Sequence, residues 1–298
     1  MQASRTTCWV TAKLLALLLI CSAQGATFTS ICPPTAADPG KIECDVQLRG
    51  EIVPGDSERL RSVLKTRLPG IGVYKYLNLE SPGGSVVEAL AVADVVREAL
   101  LKTANRLGPQ NGSTTVWGVS KRANCVSACF LIWAAGVERF LSGDGTSGIG
   151  LHRPYFIKDA YTNTPAKIAA QQQELMAKVR DYLQREQVPD RFIDVMMERS
   201  SRDVLWLNSI TDGDAFINYK AWYEEMLIAR CNYDPVLEAK LNQAAFEEIE
   251  AARQSGWRWK LNNRHTGPRQ RQSVEYSVVQ GECEMVVRRQ AQDLLRKN

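Results

Sequence analysis

The hydrophobic and polar positions of this chain switch repeatedly between the two-residue spacing of a strand and the 3.6-residue spacing of a helix. Glycine, proline and short polar clusters separate the runs and predict turns between them. Strands are predicted at Cys44–Val53, Val73–Leu79, Val116–Val119, Glu138–Leu141 and Ile149–His152. Helices are predicted at Glu58–Arg67, Val86–Lys102, Ser127–Ala135 and Pro165–Gln187, and from the Pro189 break to about Ser200. Because strand and helix alternate, we predict an α/β fold in which helices cover a mainly parallel sheet.

The pattern changes beyond Trp222. Residues 253–298 contain ten Lys or Arg and four acids, a net charge of +6, which leaves residues 26–252 at −4. Ser273–Val279 alternates, Gly281 marks a turn, and Cys283–Val287 has the pattern of a second strand. We therefore predict a main domain at residues 26–230 and a small basic α+β accessory element at residues 231–298, a hairpin with helices.

Composition narrows the class of protein. Of 298 residues, 45% are hydrophobic and 23% are charged, which excludes a disordered, collagen-like or multi-span membrane protein. A chain of this length buries a large core without help from disulfides. The net charge of +4 is too small to indicate a nucleic-acid partner.

The N-terminus has the pattern of a secretory signal. Arg5 and Lys13 precede an apolar run at Leu14–Ile20, and the small residues of Ala23–Gly25 fit a signal-peptidase site. The apolar run is far shorter than the roughly 20 residues that span a bilayer, which argues against an uncleaved anchor. We predict a signal peptide at residues 1–25 and a periplasmic or secreted protein.

Six cysteines remain after the signal, and an even number predicts disulfides in an exported protein. Sequence alone leaves about 15 pairings open. Proximity along the chain favours three pairs: Cys32 with Cys44, Cys231 with Cys283, and Cys125 with Cys129. If Cys125 and Cys129 lie on one helical turn, their Cα atoms are near the upper limit of separation for a bridge. The chain has two histidines and no metal-binding Cys or His spacing, so neither a metal ion nor another cofactor is predicted.

Three local features point to chemistry. The Gly83–Gly84 turn joins a predicted strand to a helix, where backbone N–H groups can face a phosphate or an oxyanion, although such a turn is more often structural. Ser127 begins the next helix, where its hydroxyl either acts as a nucleophile or merely caps the helix. His152 ends a short strand, where it is either a general base or a buried structural histidine. Asp203 is the candidate carboxylate to orient that base.

Together these features resemble a known family. Leu77–Ser85 (LNLESPGGS), Cys125–Cys129 (CVSAC) and Gly150–Pro154 (GLHRP) are similar to segments of the proteolytic subunit of the Clp protease and its exported relatives in the ClpP/crotonase superfamily. The similarity runs from about Val46 to about Tyr219, roughly 60% of the chain. It implies that family's repeated β-β-α core.

The resemblance also implies roles for single residues. Ser127 matches the nucleophile and His152 the general base, while the backbone N–H groups of Gly84 and Ala128 match the oxyanion hole. Asp203 is the implied third member of the triad. Because the segment that follows it holds an extra residue or two relative to the family pattern, two further candidates stay open: Asp212 and Asp214.

The expected function is that of an exported serine peptidase acting on peptides or unfolded protein. Residues 165–200 match the segment through which the family forms homo-oligomers. Export separates the protein from cytosolic ATP, so we expect hydrolysis without ATP and no ATP-dependent unfoldase as a partner. The chain departs from the family in two places, the cysteines on either side of Ser127 and an insertion at residues 105–114.

Three alternatives remain. A Ser-Lys dyad would use Lys167, 40 residues after Ser127, as the base. A crotonase-type enzyme would act on an acyl-CoA and would not need Ser127. A non-catalytic binding or assembly protein would keep the fold alone, with the basic segment around Trp257 and Trp259 facing a membrane or an acidic partner, although such a run is more often a solvated face.

Overall fold

The computed structural model describes residues 25–32, 42–66, 72–105, 123–141, 146–155, 164–200, 202–208, 210–216, 219–254 and 267–297. Within these ranges the chain is an α/β protein with strands and helices alternating along its first two thirds. The predicted strand at Val116–Val119 and the first 24 residues of the predicted signal peptide lie outside the described residues.

Eight strands are described, and four of them, β2, β3, β6 and β7, match predicted runs. They are β1 (Thr27–Ile31), β2 (Glu43–Arg49), β3 (Val73–Glu80), β4 (Lys102–Ala104), β5 (Cys125–Val126), β6 (Arg139–Phe140), β7 (Thr146–Leu151) and β8 (Leu205–Asn208). The pattern did not predict β1, β4, β5 and β8.

The same described ranges contain eight α-helices that surround or follow these strands. They are α1 (Asp56–Lys65), α2 (Val86–Glu98), α3 (Ala128–Ala135), α4 (Pro165–Arg185), α5 (Asp190–Glu198), α6 (Ala221–Cys231), α7 (Pro235–Gln254) and α8 (Pro268–Lys297). The predicted boundary between main domain and C-terminal element, at residue 231, falls at the end of α6.

The strands form two sheets that are mostly parallel. The first has the order β1-β2-β3-β4-β6, in which only β1 runs antiparallel to its neighbour. The second has the order β5-β7-β8, with β5 and β7 parallel and β8 antiparallel. A parallel bridge between Ser81, directly after β3, and Cys125 connects the two sheets. This confirms a mainly parallel α/β fold, whereas the finer assignment to the ClpP/crotonase fold stays a prediction.

Helix α3 lies at the centre of the main core. All eight of its residues are buried, as expected for a short run with no polar side chain. It packs against α2 and β4, and the phenolic hydroxyl of Tyr182 on α4 donates a hydrogen bond of 2.7 Å to the carbonyl of Leu131. Because α3 is buried on every side, its N-terminal end is held firmly where β5 meets it.

The second predicted helix is shorter than expected. It ends at Glu98, and Lys102–Ala104 forms β4 beside Tyr76–Asn78 of β3. Leu100 has a φ of 52°, in the left-handed region, and this reverses the chain between helix and strand. The apolar spacing did not predict the end of the helix, because nothing in the sequence marks a leucine as adopting the left-handed conformation.

The predicted C-terminal hairpin is wrong. Residues 268–297 form the single helix α8, which passes through both runs that had the strand pattern. One face of this helix is buried at Glu284, Arg288, Gln292 and Leu295, at spacings of four, four and three residues. Three of these residues are polar, so a hydrophobic pattern could not reveal the buried face.

A buried network of charges attaches α8 to the first sheet. Glu284 Oε1 lies 2.7 Å from Arg288 Nη2 and 3.1 Å from Nζ of Lys102 on β4. Burial alone would raise the pKa of the Glu284 carboxyl, but the two cations outweigh it and lower that pKa. Glu138 and Glu43 supply further carboxylates to Lys102 and Arg288, at 2.5 Å and 3.3 Å. Lys75 also pairs with Glu43, at 2.7 Å, so three cations face three carboxylates in the network.

A second buried network joins α2, α4, α6 and β6. Glu186, at the end of α4, accepts a hydrogen bond of 2.8 Å from Arg97 and is also paired with Lys220. Its backbone carbonyl accepts a 3.0 Å hydrogen bond from Arg139. Burial lowers the pKa of the Lys220 ammonium to about 8, and the nearby Glu186 carboxylate limits this fall.

The three predicted disulfides are confirmed: Cys32–Cys44, Cys125–Cys129 and Cys231–Cys283. The Cα atoms of Cys125 and Cys129 are 5.2 Å apart, within the ordinary range, because the pair spans a strand-to-helix turn and not one helical turn. Three disulfides indicate an oxidising, extracellular compartment. In the described part of the chain, none of the helices combines the length and the apolar character needed to cross a membrane.

Candidate active site

The register of the strands brings the three chemical features to neighbouring strand ends. The pairs that set this register are Ser81 with Cys125, Val126 with Gly150, and Leu151 with Leu205. Gly83, Ser127 and His152 each follow one of these pairs by one or two residues. Carboxyl ends of adjacent parallel strands lie at one edge of a sheet, which is where α/β proteins place their ligands.

Ser127 occupies a strained turn between β5 and α3. Its φ is 60° and its ψ is −124°, a combination that non-glycine residues rarely adopt. Its N–H donates a hydrogen bond of 3.0 Å to the carbonyl of Gly150, and its own carbonyl accepts one of 2.9 Å from Phe130. The serine side chain makes no cap hydrogen bond to its helix, so the alternative of a simple helix cap does not describe this residue. Ser127 as a whole is half-buried.

The glycine turn packs directly against this serine. Gly83 has a φ of 104°, and a Cβ at this position would lie 2.7 Å from Ser127 Cβ. Gly84 has a φ of 137°, and a Cβ there would lie 2.2 Å from the carbonyl oxygen of Ile52. Both positions therefore require glycine, for conformation and for space.

Two backbone N–H groups near the Ser127 turn, those of Gly84 and Ala128, have no partner among the described residues. The N–H of Ile52 donates to Gly83 O and its carbonyl accepts from Ser85 N, both at 2.8 Å, so the N–H of Gly84 between them faces away from Ile52. Ala128 is the first residue of α3, where the N–H has no partner within the helix. Neither N–H donates a hydrogen bond to any described residue. Such a pair can bind an oxyanion.

Substituting Gly84 by alanine should damage both the turn and the fold. We expect Gly84→Ala to lower the free energy of unfolding by about 1–3 kcal/mol, because alanine is strained at this φ and its methyl group clashes with Ile52. Urea unfolding measures the change. Gly281→Ala in α8 is the matched control, since it has open space and a helical backbone and should stabilise by about 0.5–1 kcal/mol. Equal effects of both substitutions would contradict this account.

The structure shows how His152 is oriented. Its side chain is buried, and Nδ1 lies 3.0 Å from the backbone carbonyl of Arg153. A carbonyl oxygen only accepts, so Nδ1 donates in this contact, and in the neutral tautomer that the contact selects Nε2 carries the lone pair. The imidazole therefore presents the nitrogen that a general base uses.

Asp203 lies at the same end of the sheet but is paired with another residue. Its Oδ1 accepts a hydrogen bond of 2.9 Å from Arg199, and the carboxylate is 62% exposed. Asp212 accepts from the backbone N–H of Asn208 at 2.8 Å, and Asp214 is an exposed residue of the 3-10 turn Gly213–Ala215. No described carboxylate hydrogen-bonds to His152, so the third member of the triad stays a prediction.

Lys167, the base of the alternative dyad, is exposed in the first turn of α4. A lysine that acts as a general base is normally desolvated. The environment of Lys167 thus gives the dyad no support.

Two residues beside the site were not among the predicted site residues. The buried Ser81 hydroxyl accepts a hydrogen bond of 3.1 Å from Gly83 N–H and shapes the glycine turn; a hydroxyl directly before Pro-Gly-Gly was the available signal. Trp206 on β8 lies over Gly150, where a Cβ would be 3.2 Å from the indole. No signal pointed to Trp206, because its contact depends on a strand that the pattern did not predict.

A cavity of 420 Å³ opens beyond His152. Arg153–Tyr155 line one side of it, and the Tyr155 ring centre lies 5.7 Å from that of His152. The start of α4 lines the other side with Pro165, Ile168, Ala169 and Gln172. Within the described residues there is no cluster of metal-ligating side chains.

Comparison with known proteins adds no relative. No protein-family model matches the chain, and the search of curated proteins gives no match.

Proposed function

We propose that this protein is a serine hydrolase that cleaves peptide or related acyl bonds without ATP. The observation that carries the proposal is the strained turn at Ser127. Its side chain makes no cap hydrogen bond, and the turn adjoins the N–H of Ala128, the Gly83–Gly84 turn and the strand end that precedes His152. Strain of this kind concentrates at functional sites. The confirmed disulfides support placement outside the cytoplasm, where we propose that a signal peptide directs the chain.

The proposed reaction uses ordinary acyl-transfer chemistry. His152 Nε2 takes the proton of the Ser127 hydroxyl as Oγ attacks the carbonyl carbon, and the carbonyl π electrons move to its oxygen. The N–H groups of Gly84 and Ala128 stabilise that oxyanion. His152 then gives its proton to the leaving amine, and water hydrolyses the acyl-enzyme by the same steps. Nδ1–H remains bonded to the Arg153 carbonyl, which stabilises the imidazolium.

The resemblance to exported relatives of the Clp protease suggests two further properties. We propose that α4 and α5 form contacts in a homo-oligomer, since they match the segment that the family uses for this purpose. The cavity between Arg153–Tyr155 and α4 supports binding of a substrate chain next to His152. Its lining is mainly apolar with one arginine, which suits an extended peptide.

A fluorophosphonate probe tests the catalytic proposal. The oxidised full chain should be labelled at Ser127, as identified by mass spectrometry of the modified peptide, and Ser127→Ala should lose the label. Ser62→Ala, at an exposed position of α1, is the matched control and should be labelled like the wild type. A folded wild type that resists labelling would contradict the proposal.

One observation favours a second candidate function. His152 is oriented by a backbone carbonyl and Asp203 is paired with Arg199, as in a site that has kept the fold but lost its triad. The alternative is a non-catalytic binding or assembly protein. Peptide binding without labelling of Ser127 would favour it.

A further inference from the structure

We propose that the Cys125–Cys129 disulfide is a positioning element that holds Ser127 in its reactive conformation. This inference rests on the proposed function, because it assigns a role to residues on either side of the proposed nucleophile. The bridge connects the first residue of β5 to the second residue of α3, and the strained turn lies between them.

The strained turn needs an external constraint. A φ of 60° with a ψ of −124° is unfavourable for serine, so the chain would relax unless its neighbours prevent it. The hydrogen bond from Ser127 N–H to Gly150 and the contact with Gly83 constrain one side of the turn. Only three residues separate the two cysteines, so the bridge fixes the distance between the strand end and the first helical turn directly.

Both sulfur-bearing side chains are completely buried. Cys125 is paired in register with the buried Ile149 of β7, and Cys129 belongs to the fully buried helix α3. Both ends of the bridge are thus attached to parts of the core that do not move easily. A restraint anchored in this way transmits its geometry to Ser127.

A general stabilising role explains this bridge poorly. A disulfide stabilises a fold mainly by closing a loop in the unfolded chain, and the effect grows with loop length. The Cys125–Cys129 loop has a sequence separation of 4, whereas Cys231–Cys283 has a separation of 52. The Cys125–Cys129 bridge therefore constrains the unfolded chain less than the Cys231–Cys283 bridge does. Of the two, it is the one that directly flanks the Ser127 turn.

The two bridges therefore form a matched pair for an experiment. We would compare Cys125→Ala/Cys129→Ala with Cys231→Ala/Cys283→Ala, and measure the thermal midpoint and the fluorophosphonate reaction of each folded protein. At saturating probe, the first variant should be modified at Ser127 about tenfold more slowly, with little change in the probe concentration for half-saturation. The second variant should show the larger fall in thermal midpoint and keep the wild-type rate.

A second variant tests whether the loss of packing, and not the loss of the bridge, causes the slower reaction. Cys125→Ala/Cys129→Val fills more of the buried volume beside α3 and should show the same slow modification. Wild-type rates in both variants that lack the short bridge would overturn the inference. Equal slowing by removal of the distant bridge would overturn it too, since that result indicates general loosening. An unlabelled wild type would instead refute the proposed function, and the inference with it.

Discussion

Replacing His152 by alanine should reduce hydrolysis of a fluorogenic peptide by about a thousandfold or more. The substitution removes the buried imidazole whose Nδ1 contacts the Arg153 carbonyl and whose Nε2 is the proposed proton acceptor. Without it, the Ser127 hydroxyl has no base among the proposed catalytic groups. Steady-state kinetics should show the loss in kcat more than in KM, because substrate binding does not depend on the imidazole.

Two controls make the result specific. His265→Ala changes the only other histidine of the chain and should leave kcat unchanged. Added imidazole should restore part of the activity of His152→Ala, which a merely misfolded variant would not show. Full activity in His152→Ala, together with its loss in Lys167→Ala, would replace the proposed base by the Ser-Lys alternative.

The site could be predicted in parts. The Gly83–Gly84 turn and the Ser127 junction were predictable, because glycine pairs and a serine at the start of a helix are local signals. The alignment of both with His152 depends on strand register between β5 and β7, and β5 has only two residues. A short strand leaves no periodic signal.

The partner of Asp203 could not be predicted for a different reason. An exposed carboxylate has many possible partners, and the long side chain of Arg199 reaches it from the end of α5. The sequence predicted Asp203 only as a candidate third member of the triad, with Asp212 and Asp214 as alternatives. Which cation or ring it contacts depends on side-chain geometry in three dimensions.

For the fold as well, features that depend on local sequence were predicted, and features that depend on distant contacts were not. Apolar runs predicted β3 and α3 well, and proximity predicted all three disulfides. The helix α8 was mistaken for a hairpin because its buried face is formed by polar residues such as Glu284 and Arg288. Residues far away in sequence, namely Lys102, Tyr223 and Glu43, make these burials favourable.

The largest stability effect should come from this polar face. Glu284 is the central carboxylate of the network, since it contacts Lys102 and Arg288 and accepts a 3.0 Å hydrogen bond from the Tyr223 hydroxyl. Glu284→Gln removes its charge while two buried cations remain. Breaking a buried ion pair from one side is strongly destabilising, so we expect the free energy of unfolding to fall by about 3 kcal/mol at pH 7. Urea unfolding measures this change.

The pH dependence separates lost charge from lost packing. The pKa of Glu284 is lowered in the folded state by Lys102 and Arg288, although burial opposes this, so its charge stabilises the fold above the ordinary glutamate pKa of about 4.5. As the pH falls through the pKa of Glu284 in the folded state, this carboxylate becomes protonated. The difference in unfolding free energy between the wild type and Glu284→Gln should then disappear. Glu275→Gln, at an exposed position of α8, should change the unfolding free energy by less than about 0.5 kcal/mol. If Glu284→Gln remains less stable by the same amount at low pH, the loss must come from packing. At low pH the side chain at this position is uncharged in both proteins, so charge cannot cause the difference.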